Sequence, residues 1–124
     1  MSDPLMEVVR LTNEYRAKHG RKPLRVEAKL MKVARSRAKR LARTRRPSHA
    51  GWFATFLRYG FRRGRGAGEN IAWGQSGPGE VVNDWIGSET HRLNMLRDFD
   101  TIGVGFAKGP HGTRWAQVFG SGRQ

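Results

Sequence analysis

Imidazole and carboxylate are the side chains that bind zinc-like metals and move protons near neutral pH. This chain of 124 residues has four histidines and ten acidic residues. Two of those histidines and one glutamate fall inside short motifs in a fixed order. These are Ser48-His49, then Gly68-Glu69-Asn70-Ile71-Ala72, then Trp85-x-x-Ser88-x-x-His91-Arg92-x-Asn94, and finally Trp115-x-Gln117-x-Phe119-Gly120. If His49, Glu69 and His91 meet, two chemistries follow. The three side chains could hold a divalent metal, zinc or magnesium, with an open coordination position, or Glu69 could orient an imidazole that works as a general base. A third outcome needs no ligand. A buried glutamate requires partners, and the two histidines could be those partners and stitch loop, strand and helix together.

Other polar residues near these motifs have simpler readings. Ser88 and His91 are three apart and share a helix face, so with Glu69 they could imitate a hydrolase triad, but no nucleophile elbow surrounds Ser88. Ser88, Asn70 and Arg92 are the candidates to contact a ligand in a cleft. Asn70 and Asn94 can equally hold backbone turns, and Arg92 can pair with Asp98 or Asp100. His19 at a helix end and His111 in a hairpin loop stay outside the site. Trp73, Trp85 and Trp115 read as core, whereas Trp52, Phe53 and Phe56 after the His49 loop could wall a cleft.

The elements that must position these groups are legible from caps and periodicity. Asp3-Pro4 opens a first helix whose Leu5, Val8, Leu11 and Tyr15 recur at helical spacing until Gly20. Leu30, Val33, Ala34, Arg37, Ala38 and Leu41 form a second helical stripe, edged by Lys29, Lys32, Arg35, Lys39, Arg40 and Arg43. Pro47 and Gly51 make Thr44 to Gly51 an irregular loop, which puts His49 on it. Trp52 to Tyr59 is a short aromatic helix, and Gly60 to Gly68 a basic, glycine-rich connector expected to be mobile. Glu69 to Trp73 reads as a strand. Pro78 opens a helix through Val81, Val82, Trp85 and Ile86, with another turn at Ser88 to Leu96. Thr101 to Ala107 and Thr113 to Phe119 form two strands around Gly109-Pro110-His111-Gly112. The pattern is an α+β layered domain.

Length predicts one domain over residues 1–124. The absence of cysteine excludes a disulfide framework and a thiol nucleophile. The opening Met1 to Glu7 lacks the basic-then-apolar pattern of an export signal, so Met1 fits a native start as well as a start that replaces a removed signal. The net charge of +14 is unevenly placed: no acidic residue lies between Glu27 and Glu69, a stretch that holds 13 of the 24 Lys and Arg residues. Arg35, Arg37, Lys39, Arg40, Arg43, Arg45 and Arg46 put seven positive charges in twelve positions, and Arg58, Arg62, Arg63 and Arg65 form a second cluster. Such a field attracts nucleic acid, anionic lipid or teichoic-acid-like cell-wall polymers. A basic surface with an inert cleft is therefore a rival to a cleft function. No helix-turn-helix, zinc-finger or RNA-recognition signature accompanies it.

Together with Asn13-Glu14-Tyr15-Arg16, the ordered motifs resemble the CAP superfamily (cysteine-rich secretory, antigen 5 and pathogenesis-related 1 proteins) in its bacterial, cysteine-free form, from about Glu7 to Gly120. The resemblance implies a three-layer α-β-α sandwich with a small central antiparallel sheet. It also implies that His49, Glu69 and His91 occupy the family's cleft positions and bind a divalent metal or small ligand. A metal-dependent hydrolase is a further alternative. Members of the family are usually exported, although a cytoplasmic location stays open for this chain. Eukaryotic members carry a glutamate where this chain has Ser88. On a helix Glu89 points about 100° away and does not replace it.

Overall fold

The computed structural model describes residues 3–61 and 66–121. The elements run α1 (Pro4–Lys18), β1 (Arg25–Val26), α2 (Ala28–Ala42), α3 (Trp52–Arg58), β2 (Ala67–Trp73), α4 (Pro78–Ile86), α5 (Glu89–Leu96), β3 (Thr101–Gly109) and β4 (Gly112–Gly120). Part of the 60–68 connector, with Arg62, Arg63 and Arg65, lies outside the described residues.

Local chemistry sets these boundaries. The Asp3 carboxylate accepts from the Leu5 amide at 2.9 Å and Pro4 occupies the first helical turn, so α1 starts where its orphan N–H groups find a side chain. At its far end, Gly20 takes a left-handed φ of 73°. The Asn13-Glu14-Tyr15-Arg16 segment then pins the descending chain. Asn13 exchanges two hydrogen bonds with the Leu24 backbone, and Arg16 donates to the carbonyls of Lys22, Met95 and Arg97. Burial lowers the Arg16 pKa, helped by the like charge of Arg21 and opposed by the charges of Asp98 and Asp100.

The sheet order is β1-β3-β4-β2, and β2 is therefore an edge strand. Its three long strands are antiparallel, as expected, and β1 adds a two-residue parallel pairing to β3 that is too short to show as alternation in the sequence. Alternation along β4 divides two cores. Trp115 and Phe119 join Val8, Val81, Trp85 and Met95 under α1, α4 and α5, whereas Ala116 and Val118 join Leu30, Val33 and Leu41 under α2. The result is the α-β-α sandwich.

Helix α2 lies unusually close to β3. A Cβ added at Gly103 would stand 2.1 Å from the Leu30 carbonyl carbon, and one at Gly105 would stand 2.3 Å from the Ala34 carbonyl oxygen. Glycine at these positions lets the helix backbone rest directly on the strand. Two expectations about aromatic residues need correction. Trp73, the last residue of β2, is 54% exposed and not core. Phe56 is fully buried, and Trp52 and Phe53 pack against the α2 core, so this trio is chiefly core and not cleft wall.

Candidate functional site

Strand β2 carries the site. Side chains of consecutive strand residues point to opposite faces, and here the two faces belong to different helical layers. Glu69 turns towards α2, while Asn70 turns towards α5.

On the α2 side, Glu69 is 5% exposed and its carboxylate is fully engaged. Arg37 grips it with two hydrogen bonds, Nε to Oε2 at 2.7 Å and Nη2 to Oε1 at 3.1 Å. The same guanidinium donates to the carbonyls of Ser48 at 2.9 Å and Ala50 at 3.1 Å, the two residues that flank His49. Four of its N–H groups thus bind the glutamate and the histidine loop together. His49 Nδ1 completes the cluster at 2.8 Å from Glu69 Oε1. In the neutral ring the carboxylate favours the proton on Nδ1, which leaves Nε2 as a lone pair. The His49 side chain is 52% exposed, whereas those of Arg37 and Glu69 are each 1% exposed.

Arg37 lies in the α2 stripe, where its spacing puts it, and being buried it adds nothing to the basic surface, where the sequence also counts it among seven cations. Arg16 and Arg114 are likewise buried and spend their donors on backbone carbonyls. The sequence signal for Arg37 was its place between Val33, Ala34, Ala38 and Leu41, with Glu69 as the single acid between Glu27 and Glu80.

On the α5 side, Ser88 is the N-cap of α5, but its hydroxyl does not cap the backbone. It lies 2.8 Å from His91 Nδ1 instead. A hydroxyl can donate or accept, so His91 can expose either Nε2–H or a bare Nε2. Asn70 is fully buried and donates to the His91 carbonyl and to Gln117 Oε1, both at 3.0 Å, and accepts from Asn94. Gln117 passes the chain on to Thr12 at 2.8 Å. This amide network fixes α5 against β2 and α1. Asn70, Asn94 and Gln117 thus have scaffold contacts, and the side-chain amide of Asn70 is taken up by them. Arg92 donates to the Ile86 carbonyl at 2.9 Å, and it forms no ion pair among the described residues. Glu89 is exposed, as its helical position predicts.

The two histidines therefore arrive from opposite layers across one edge strand. They are close enough that the charge of His49, after burial as the larger cause, lowers the His91 pKa below the ordinary imidazole value of 6.5. In the unfolded chain His91 takes up its proton first as the pH falls, so the unfolded state binds more protons between the two pKa values. Stability should accordingly be highest above about pH 6.5, the unperturbed imidazole value, and should decline as the pH drops through that window. Urea unfolding midpoints from pH 7.5 to 5 should fall more steeply for the wild type than for His91→Asn. Equal slopes would remove His91 as the cause.

Among the described residues, no group of three or more His, Cys, Asp or Glu side chains is arranged to hold a metal. The expected set of His49, Glu69 and His91 is not assembled as three ligands, because Arg37 and His49 already take both oxygens of Glu69. A hydrolase triad is not assembled either. The glutamate supports His49, while Ser88 touches His91. What the geometry leaves available is two imidazoles, each backed at Nδ1, with Nε2 free of hydrogen bonds among the described residues.

Comparison with known proteins agrees with the fold. The family described as "Cysteine-rich secretory protein family" (CAP) matches residues 9–119. The uncharacterized protein YkwD of Bacillus subtilis is 40% identical over 119 residues, which cover 91% of this chain and 45% of YkwD. A crystal structure of an extracellular protein containing a SCP domain from Bacillus anthracis superposes with a TM-score of 0.85 at 26% identity, over 96% of this chain and 40% of that one. An outer surface protein from Borrelia burgdorferi shares the fold with a TM-score of 0.81 at 23% identity, over 98% of this chain and 97% of that one. The chain spans less than half the length of the two Bacillus relatives.

Proposed function

Since the chain belongs to the cysteine-rich secretory protein (CAP) family, we propose that it is an extracytoplasmic binding domain. Its cleft holds a zinc-like divalent cation or a small ligand between His49 and His91, and its basic surface meets anionic partners. The observation that carries the cleft reading is the backing of both imidazoles: Nδ1 of His49 on Glu69 and Nδ1 of His91 on Ser88. Histidines that bind a metal through Nε2 usually donate the other N–H to a carboxylate or similar group, which fixes the ring and raises its basicity. Glu69 in this reading orients a ligand and is not one itself.

The donor set discriminates among metals. Two imidazole nitrogens suit zinc and its neighbours, whereas magnesium prefers oxygen ligands and gains little here. With two protein ligands the remaining positions belong to water or to a bound molecule, and such a cation would act there as a Lewis acid that recruits an anionic or carbonyl ligand. Binding is weak by the standard of closed four-ligand sites. The proposed role is binding of a cation or small ligand.

The partner reading rests on charge. Apart from Arg37, the described basic residues of α2 and α3 form no ion pairs among the described residues, and two of the structural relatives are described as extracellular or outer-surface proteins. No helix among the described residues is long and apolar enough to cross a membrane.

Titration calorimetry with zinc and with magnesium tests the cleft. Zinc should bind the wild type, bind His49→Ala or His91→Ala at least tenfold more weakly, and bind Glu69→Gln about 10- to 100-fold more weakly, as for loss of a group behind a ligand. Magnesium should bind negligibly. Identical zinc isotherms for wild type, His49→Ala and His91→Ala would overturn the reading.

A further inference from the structure

The basic residues of α2 and α3 do not merely coat a convex surface. Ser36, Lys39, Arg40, Arg43 and Thr44 from the C-terminal half of α2 and the loop after it, with Arg58 from the last turn of α3, line a concavity of about 430 Å³. Ser36, Lys39, Arg40 and Arg43 recur at three- and four-residue steps and so share one helix face, opposite the wall that Arg58 provides. Four cationic heads from two elements border one hollow, and no acidic side chain among the described residues lines it. None of Lys39, Arg40, Arg43 and Arg58 forms an ion pair among the described residues.

We infer that this hollow is a discrete binding site for the phosphodiester groups of a flexible polyol-phosphate polymer of the teichoic-acid kind. The inference deepens the basic-surface part of the proposed function and rests on it. Crowding four unpaired cations raises their mutual repulsion, which an entering anion relieves. Guanidinium groups supply paired N–H donors matched to phosphate oxygens, and the Ser36 hydroxyl adds a neutral partner on the same face.

The lining also selects among polyanions. Among the described residues it contains no aromatic ring on which a base could stack and no apolar side chain that could enter a lipid surface. The nearby aromatics Trp52, Phe53 and Phe56 are spent on the α2 core. A polymer whose repeating unit is small, hydroxylated and anionic asks for neither. The Arg40 guanidinium also lies 3.6 Å from where a Cβ on Gly51 would stand, two residues past His49. A chain seated in the hollow would thus continue towards the histidine loop.

Poly(glycerol phosphate), duplex DNA and phosphatidylglycerol vesicles are the probes, each at 50 and 300 mM salt. Two double variants remove the same charge. Arg40→Gln/Arg43→Gln empties the hollow, and Lys22→Gln/Arg25→Gln alters exposed cations before α2, at the opposite end of that helix. Thermal melts verify that both remain folded. The expected result is that poly(glycerol phosphate) binds in preference to the other probes, weakens tenfold or more with the first variant and changes less than threefold with the second. Equal weakening by both variants would overturn the discrete site and leave a diffuse basic surface. Preference for DNA or vesicles would overturn the polymer class. Absence of salt-sensitive binding to any probe in the wild type would overturn this inference and the basic-surface reading together.

Discussion

Arg37→Met should cost about 3–5 kcal/mol of folding stability, the range for breaking a buried ion pair by removing one partner. The loss exceeds the value of any single contact because Glu69 would stay buried with a charge that only His49 could offset. Two loop carbonyls, of Ser48 and Ala50, would lose their donor at the same time. The effect should therefore reach function, since the loop that presents His49 would be released. Arg37→Met/Glu69→Gln should recover part of the stability, because no uncompensated charge remains, but it should not recover zinc affinity. Chemical denaturation of the single and double variants, paired with calorimetry, separates the two. A loss below about 1 kcal/mol for Arg37→Met, the value of an exposed pair, would mean that water reaches Glu69 and that the pair is not the anchor of the site.

Gly105→Ala should be at least as damaging as a typical overpacked core substitution, about 3 kcal/mol or more, although it adds one methyl group. The added carbon would meet the Ala34 carbonyl oxygen at 2.3 Å and its carbon at 2.4 Å. These are backbone atoms of a helix, and no rotamer change moves them aside. Either α2 lifts from β3, opening the core that holds Leu30 and Val33, or the strand twists away from β4. Gly103→Ala meets the same obstacle at Leu30. Gly79→Ala in α4 is the matched control. Nothing lies within 4 Å of its added carbon, and a helical Gly-to-Ala change in open space gains roughly 0.4–1 kcal/mol. Thermal melts should fall for the two strand variants and rise for the control. Parallel shifts would mean that α2 is free to adjust its height over the sheet.

Much of this layout is legible in the sequence because it is written in local chemistry. The Asp3-Pro4 cap, the α2 stripe, Pro78 at the start of α4 and the turn at Pro110-His111 are each decided by a few neighbouring residues. The histidine loop, too, follows from Pro47 and Gly51. What stayed hidden depends on long-range partners. Arg37 has a legible place in the α2 stripe, but its partner does not show, because its acid lies 32 residues away on another element. Asn70 looked like a ligand contact because nothing local announces that Gln117, His91 and Asn94 will surround it. Strand β1 is two residues long and carries no alternation to read. Trp73 looked like core by residue type, yet its place at the end of an edge strand leaves it in solvent.

The adjacency of Glu69 and Asn70 works as a parity check on the folding chain. A slip of β2 by one residue against β4 would exchange the faces of these two side chains. The carboxylate would then enter the amide network of Gln117 and Thr12, which cannot neutralise it, and the carboxamide would face Arg37, which would keep an unmatched charge. Ile71 and Ala72 differ in size but not in kind, so apolar packing alone would tolerate the error more readily. Two polar residues in succession, each readable by only one layer, make the misaligned strand self-reporting, and the alignment that presents both histidines at the same edge is the one in which the buried carboxylate has found its guanidinium.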